Sequence, residues 1–551
     1  MSNKLKPKLF SVMKTYTKEQ FVKDVIAGII VAIIALPLSI ALALASGVTP
    51  EKGIYTAIVA GFVIAFLGGS RVQISGPTAA FATIVGGIVA TKGMDGLVIA
   101  TIMAGILLII MGLCRLGTLI KFIPFTITTG FTTGIAVTIV IGQIKDFLGL
   151  SVVSSEPLVE TMDKLKYDVK FIDTFNIQAF IVGIVSLLVL ILWPKIKRPS
   201  FLSKIPPSLI AVLLGIAMVK GLSMKVNTIG DLYTISNKLP AFSIPDFSLA
   251  TIKSLIPDAF TIAVLAAIES LLSCVVSDSM VNSRHNSNME LVAQGAGNIA
   301  SAMFGGIPAT GAIARTAANV KNGGRTPIAG IVHSIVLLLV LVVLMPYASL
   351  IPMPTIAAIL FMVAYNMSEW RKFANLVKTA PKSDVIVLIA TFVLTVCFDL
   401  VVAIEIGLIL TCVLFIKRMS DQTLVEGWKY VDDENDPDSI TLRQVPKHTM
   451  VYEISGPMFF GATDKILGIT VSEDMTNLIL RMRSVNAIDS TAINAVRTLK
   501  NNCEKKGVRL ILSHVNEQPM KALDKAGLLD KIGRENICVH IDEALKRAEQ
   551  E

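Results

Sequence analysis

The chain has 551 residues, of which 53% are hydrophobic and only 17% charged, well below the roughly 25% charge of ordinary water-soluble chains. That deficit excludes a wholly soluble protein. The net charge of +9 is scattered through short loops between apolar runs, as in a multispanning protein, which argues against nucleic-acid binding.

The deficit is uneven. Residues 26–416 are mostly apolar runs broken by Gly, Pro and short basic turns, whereas residues 417–551 have the charge density of a soluble domain. The reading divides the chain into an N-terminal segment (1–23), a transmembrane transport domain (24–418), a linker (419–444) and a soluble domain (445–551). The first segment is polar and basic, with no apolar signal-peptide core, and is expected to stay in the cytoplasm. Six cysteines show no CxxC spacing, so neither a disulfide framework nor a zinc site is indicated.

Crossing the hydrocarbon core takes about 20 apolar residues, a figure relaxed in transporters by tilted and half-length helices. The first set of candidate spans is 25–44, 54–67, 78–90, 97–113, 120–144, 177–193 and 209–218. The second is 255–276, 291–304, 311–318, 328–345, 355–364, 385–396 and 401–415. Arg71, Arg115, Lys121, Lys195, Lys197, Arg198, Lys321, Arg325, Arg371, Lys372, Lys417 and Arg418 follow even-numbered spans. The positive-inside rule then puts both termini in the cytoplasm.

Seven plus seven spans suggests an inverted repeat, in which spans three and ten are partners. Each opens on a helix breaker followed by small and hydroxyl residues: Ser75-Gly76-Pro77-Thr78-Ala79 in the first half, Gly306-Ile307-Pro308-Ala309-Thr310-Gly311-Ala312 in the second. If both begin in mid-membrane, their free N–H groups and positive dipole ends converge on one point, as an anion requires. Arg315, one turn past Gly311, adds a full positive charge. The competing reading is that Gly and Pro only pack or kink these helices.

Ionisable residues inside a bilayer are functional candidates until a partner is found. Glu269 lies mid-span, with Ser273 four residues on and on the same helix face. Such a carboxyl could carry a proton with the anion, or could hold a sodium ion together with Ser273. Its bland alternative is a salt bridge to Arg315. Glu405 and Asp399 suit packing or helix-end roles, His333 suits a hydrogen-bonded interior histidine more than a proton relay, and His285 falls in a cytoplasmic turn. Asp24 marks the membrane entrance of span one, and Pro37 bends that span near Ser39.

These motifs resemble the sulfate permease (SulP) family of anion transporters. The resemblance covers nearly the whole chain: Leu36-Pro37 with Ala41, Ser75-Gly76-Pro77-Thr78, the run from Thr129 to Ala136, Glu269-Ser270-Leu271-Leu272-Ser273, and Ala314-Arg315-Thr316-Ala317-Ala318-Asn319 with Arg325-Thr326-Pro327. The segment from Glu269 to Arg371 looks most like bacterial members that resemble the dicarboxylate carrier DauA.

The resemblance implies an all-α membrane domain of seven-plus-seven inverted-repeat fold. A core (spans one to four and eight to eleven) moves against a gate (the rest), and the protein is a homodimer in the cell membrane. Carried over, the anion site is Ser39, Leu42, Thr78, Ala79, Ala312, Ala314 and Arg315, with Glu269 and Ser273 for the coupling ion. The implied substrate is a small anion such as sulfate, bicarbonate or a C4-dicarboxylate, with no cofactor. Some animal members have Gln at the positions of Ala35 and Leu38, and Ser at those of Ala312 and Ala314. Sodium-coupled bicarbonate members tend to have Asp in place of Glu269, so the Glu here favours proton coupling. The alternatives are a sodium-coupled anion symporter, an anion exchanger or an uncoupled anion channel. A nucleobase carrier would call for a carboxylate pair and no soluble domain, and no nucleophile, metal cluster or acid pair suggests an enzyme.

After residue 445, strands at 450–454, 478–482, 508–513 and 538–541 alternate with helices such as 491–505, a small α/β pattern. It resembles the STAS domain that follows the membrane part in this family. Asp489-Ser490 aligns with a phosphorylatable loop that implies regulation by a cytoplasmic partner; the plainer reading is an N-cap for the next helix.

Overall fold

The computed structural model describes residues 5–118, 124–152, 160–196, 205–236, 238–243, 245, 248–398, 400–427, 443–472 and 474–550. Asp399, three of the loop cations (Lys121, Lys197 and Arg198) and most of the expected linker lie outside the described residues. Two compact units emerge, Met1–Leu408 and Ile409–Glu551.

The first unit is helical. Its elements run α1 (Lys8–Val12), α2 (Lys18–Ala45), α3 (Pro50–Leu67), the two-residue strand β1 (Ser75–Gly76), α4 (Ala79–Leu113), α5 (Phe125–Leu148), α6 (Thr161–Lys170), α7 (Ile177–Leu192), α8 (Pro207–Gly221), α9 (Ile229–Leu232), α10 (Leu249–Val281) and α11 (Ser287–Met303). Then come β2 (Thr310–Gly311), α12 (Ile313–Lys321), α13 (Ile328–Ala348), α14 (Met353–Ser368), α15 (Trp370–Thr379), α16 (Lys382–Cys397) and α17 (Leu400–Gln422), in which the boundary between the units falls.

Every candidate span overlaps one of these helices. Spans three and four form one continuous element, α4, broken at Gly93, whose φ of 70° only glycine adopts freely. Seven helices among the described residues are long and apolar enough to cross a membrane alone. Of the other helices that carry candidate spans, α12 is the shortest at 9 residues and suits a bilayer only when packed among neighbours.

The helices sort by their packing partners. In one group α4 packs on α10 and α11, α11 on α3, and α13 on α2 and α3; in the other α5 packs on α14 and α16, and α7 on α8 and α14. These are the core and gate sets that the resemblance implies. Small residues bring the axes together: a methyl on Gly295 of α11 would lie 2.4 Å from the Gly105 carbonyl of α4, and one on Gly130 of α5 would lie 2.6 Å from the Leu388 carbonyl of α16. In an apolar solvent such close approach supplies the dispersion contacts that hold helices together.

The second unit carries a five-stranded sheet of order β3-β4-β5-β6-β7: β3 (Leu424–Gly427), β4 (Thr449–Ser455), β5 (Asn477–Ser484), β6 (Arg509–Ser513) and β7 (Ile537–Cys538). β3 joins antiparallel and the rest are parallel. The helices are α18 (Thr463–Leu467), α19 (Ser490–Lys505), α20 (Glu517–Lys525), α21 (Leu528–Ile532) and α22 (Ile541–Glu549). Alternation along β5 decides the faces: Leu478, Leu480 and Met482 meet Val496 and Leu499 of α19, while Ile479 meets Ile541 and Leu545 of α22.

Two expectations shift here. β3 lies where the sequence suggests only linker, because an edge strand this short carries little hydropathy signal. Residues 538–541 are not all strand, because His540 caps α22 by accepting from the Asp542 N–H at 3.3 Å.

Candidate anion site

Spans three and ten meet through β1 and β2, which pair antiparallel with Ser75 opposite Gly311 and Gly76 opposite Thr310. The Ala312 N–H donates to the Ile74 carbonyl at 2.9 Å, the Ile74 N–H donates to Thr316 Oγ1 at 3.0 Å, and Thr310 Oγ1 donates to the Ala266 carbonyl of α10 at 3.0 Å. Because the strands run antiparallel and each feeds a helix within a few residues, α4 and α12 leave the crossing in opposite senses. Their amide-rich starts stay beside it. Neither N-cap residue, Thr78 or Ala312, bonds the first turn with its side chain, so both dipole ends lack a side-chain cap.

The Thr78 hydroxyl instead donates to Glu269 of α10 at 2.8 Å. Arg315 is 3% exposed; its Nη2 donates to the Pro77 carbonyl, and its Nη1 has no hydrogen-bond partner among the described residues. No ion pair within 4 Å joins Glu269 to Arg315 among the described residues, so the salt-bridge alternative does not form.

The other expected site residues are distributed around this crossing. Ser39 of α2 is fully buried and its hydroxyl is unpartnered. Leu42 and Ala79 share one apolar cluster with Ala266 and Ala267 of α10. Ala312 is buried and Ala314 is exposed. Ser273 is buried and donates to Thr316 Oγ1 at 3.4 Å, so its hydroxyl braces α10 against α12. Glu269 is partly exposed.

The polar stripe of α11 was not anticipated. Glu290, Gln294 and Asn298 lie at i, i+4 and i+8, on one helix face. Glu290 Oε2 accepts from the Gly69 and Ser70 N–H groups at 2.9 and 3.1 Å, and Oε1 accepts from Gln73 at 2.7 Å and Gln294 at 2.9 Å. Asn298 bonds both backbone groups of Ala309, at 2.8 and 2.9 Å. The approaches to both strands are therefore pinned by one helix. That spacing of polar residues in an apolar run was the available signal.

Away from the crossing, Asp24 is fully buried and accepts from Tyr16, Gln20, Thr326 and the Arg325 N–H, tying α2 to the turn after α12. His285 meets Asp278 at 2.7 Å and Ser287 at 3.0 Å. His333 is fully buried, but among the described residues neither ring nitrogen has a hydrogen-bond partner, which differs from its expected role as a hydrogen-bonded interior histidine. Glu405 is exposed on α17. In the second unit Asp489 is the N-cap of α19, accepting from the Ala492 N–H at 2.8 Å, and Ser490 is exposed.

A multispanning helical unit whose two interrupted segments meet start to start, followed by an α/β unit, is the architecture of a membrane transporter. The sequence matches the Sulfate permease family over residues 21–391 and the STAS domain over residues 439–544. It is 41% identical to the putative sulfate transporter YvdB of Bacillus subtilis (strain 168), covering 96% of this chain and 98% of that protein. It is 30% identical to the bicarbonate transporter BicA of Picosynechococcus sp., covering 95% and 94%.

Among solved structures, the murine Solute Carrier 26 family member A9 anion transporter in its inward-facing state matches the fold with a TM-score of 0.86 at 20% identity, covering 98% of this chain and 94% of that one. The transmembrane domain of a cyanobacterium BicA matches with a TM-score of 0.62 at 28% identity, covering 72% and 98%. The chain belongs to the sulfate permease family of membrane anion transporters and ends in a STAS domain.

Proposed function

We propose that this protein is a secondary active transporter that holds a small anion between the starts of α4 and α12 and moves it by alternating access of core against gate. One observation carries the reading: two helix starts without side-chain caps flank the β1–β2 crossing, and the buried Arg315 guanidinium keeps one nitrogen unpartnered beside it. Backbone N–H groups and a guanidinium serve any small oxyanion. The backbone N–H groups of Thr78, Ala79 and Ala314 and the guanidinium of Arg315 supply the donors, and Ala312, Ser39 and Leu42 complete the wall. The relatives are named for sulfate and bicarbonate, and these, with C4-dicarboxylates, are the substrate class.

Glu269 is the coupling group, and the ion is a proton. The choice of ion follows the sequence: sodium-coupled members of the family tend to have Asp in place of Glu269. The chain works as a homodimer in the cell membrane with both termini cytoplasmic, an orientation supported by the cations after even-numbered spans. The STAS domain, with Asp489 capping α19 and Ser490 exposed at the start of that helix, is the place for a cytoplasmic regulator.

The test is labelled sulfate uptake by the purified protein in proteoliposomes, with bicarbonate, fumarate and succinate as competitors. Uptake is expected to follow an inward proton gradient, and Arg315→Ala is expected to lose most of it. Unchanged uptake in that variant would remove Arg315 from the site, and uptake that follows sodium and ignores pH would reverse the coupling ion.

A further inference from the structure

The unpartnered His333 is a physical anomaly. A neutral imidazole has one donor and one acceptor, and leaving either unmet in a dry interior is destabilising. Arg315 Nη1 has the same problem. Buried polar groups without protein partners are the places where internal water is held.

The two residues border the same thin layer. A methyl on Gly76 of β1 would lie 2.8 Å from Arg315 Nη1 and 3.4 Å from Ala57 of α3. A methyl on Gly61, one turn further along α3, would lie 3.2 Å from the Ser75 carbonyl of β1, 2.8 Å from Ser334 Oγ and 3.9 Å from His333 Nδ1. Ser334 Oγ in turn donates to the Ala57 carbonyl at 3.2 Å. The small face of α3 thus lets α13 and β1 approach each other, with the imidazole on one side and the guanidinium on the other.

We infer that one internal water, or a chain of two, links the His333 ring to Arg315 Nη1, and that His333 is a positioning residue for the guanidinium. The water accepts a hydrogen bond from Nη1 on its oxygen and donates one to the bare imidazole nitrogen, which satisfies two of the three orphaned nitrogens. Held at Nη2 by the Pro77 carbonyl and at Nη1 through water, the guanidinium plane cannot turn. The part of this inference that concerns transport rests on Arg315 contacting the anion; the hydration does not.

Two measurements test it on the full-length protein in lipid nanodiscs or proteoliposomes. A map that resolves ordered water should show one within hydrogen-bond distance of Arg315 Nη1 and on the path to His333; a dry gap there overturns the inference. His333→Phe, which keeps a ring of similar size without polar atoms, should raise KM for labelled sulfate roughly tenfold, the loss of one charge-assisted hydrogen bond, while the maximal rate and melting temperature stay near the parent's. His333→Gln, which still donates and accepts, should keep KM within about twofold. A parental KM in the Phe variant, or equal impairment in both, overturns the positioning role. If His333→Phe does not fold, the Gln variant and the map decide. Normal uptake in Arg315→Ala would instead sink the anion-site reading and leave the water to be judged by the map alone.

Discussion

Thr78 and Glu269 are joined by a 2.8 Å hydrogen bond across 191 positions of sequence. A threonine at an N-cap ordinarily bonds its own helix; here it serves the carboxylate of α10 and leaves the start of α4 uncapped. Thr78→Val keeps the shape and removes the donor. Sulfate uptake should fall by roughly tenfold, the cost of one hydrogen bond to a charged group. Glu269→Gln should retain downhill exchange but lose accumulation driven by a proton gradient. A Thr78→Val variant with parental uptake, or a Glu269→Gln variant that still concentrates sulfate, would separate this pair from transport.

Gly76 leaves the space that Arg315 Nη1 occupies, since an added methyl would sit 2.8 Å from it. Gly76→Ala should therefore displace the guanidinium, the more yielding neighbour, and also strain the backbone at a φ of 157°, so uptake should fall by about tenfold or more and the melting temperature should drop as well. Gly142→Ala on α5 is the control: a methyl there meets nothing within 4 Å. Equal uptake in the two variants would show that the position of Arg315 is not critical.

Asp168 on α6, outside the spans, is 6% exposed, and burial pushes its carboxyl up from 3.8 to about 6; Lys145 and Lys164 act against that rise and Asp146 adds to it. Because the folded value is raised, the stability it contributes is complete below 3.8 and is lost as pH rises through about 6. α6 packs on α5 and α16. Hydrogen exchange in α6, corrected for intrinsic rates, should show stronger protection at low pH than at high pH, and Asp168→Asn should erase the difference. Identical protection in the parent at both extremes would refute this.

Asp489 accepts from the Ala492 N–H and also from the Phe460 N–H at 2.9 Å. Asp489→Ala should destabilise the STAS domain by about 1–2 kcal/mol. In the full-length protein this appears as faster exchange in the first turn of α19. Ser490→Ala should leave exchange unchanged, because that side chain is exposed; the opposite ranking would mean that Asp489 does not carry the cap.

Much of the membrane unit was legible in the residues. Apolar runs located all of the spans, and the breakers at Gly76-Pro77 and Pro308 marked the two that are interrupted. Asp489 was readable as a cap because capping is local. What escaped is non-local. β1 and β2 are two residues each, too short for any periodicity. The Glu290 network joins α11 to the turn after α3, through donors 217 to 221 positions away. His333 was expected to have a partner, and a single sequence cannot show which buried groups are left without one.

The sequence alone determined that this chain lives in a bilayer, where it is interrupted, and which charges it keeps there, because hydropathy and backbone chemistry act along the chain. Tertiary structure alone decided that the two interruptions pair strand to strand, that Thr78 turns away from its own helix, and that Arg315 rests on the Pro77 carbonyl with one nitrogen free. Those outcomes depend on the packing of helices hundreds of residues apart, where a few tenths of an ångström around glycines settle which polar groups meet.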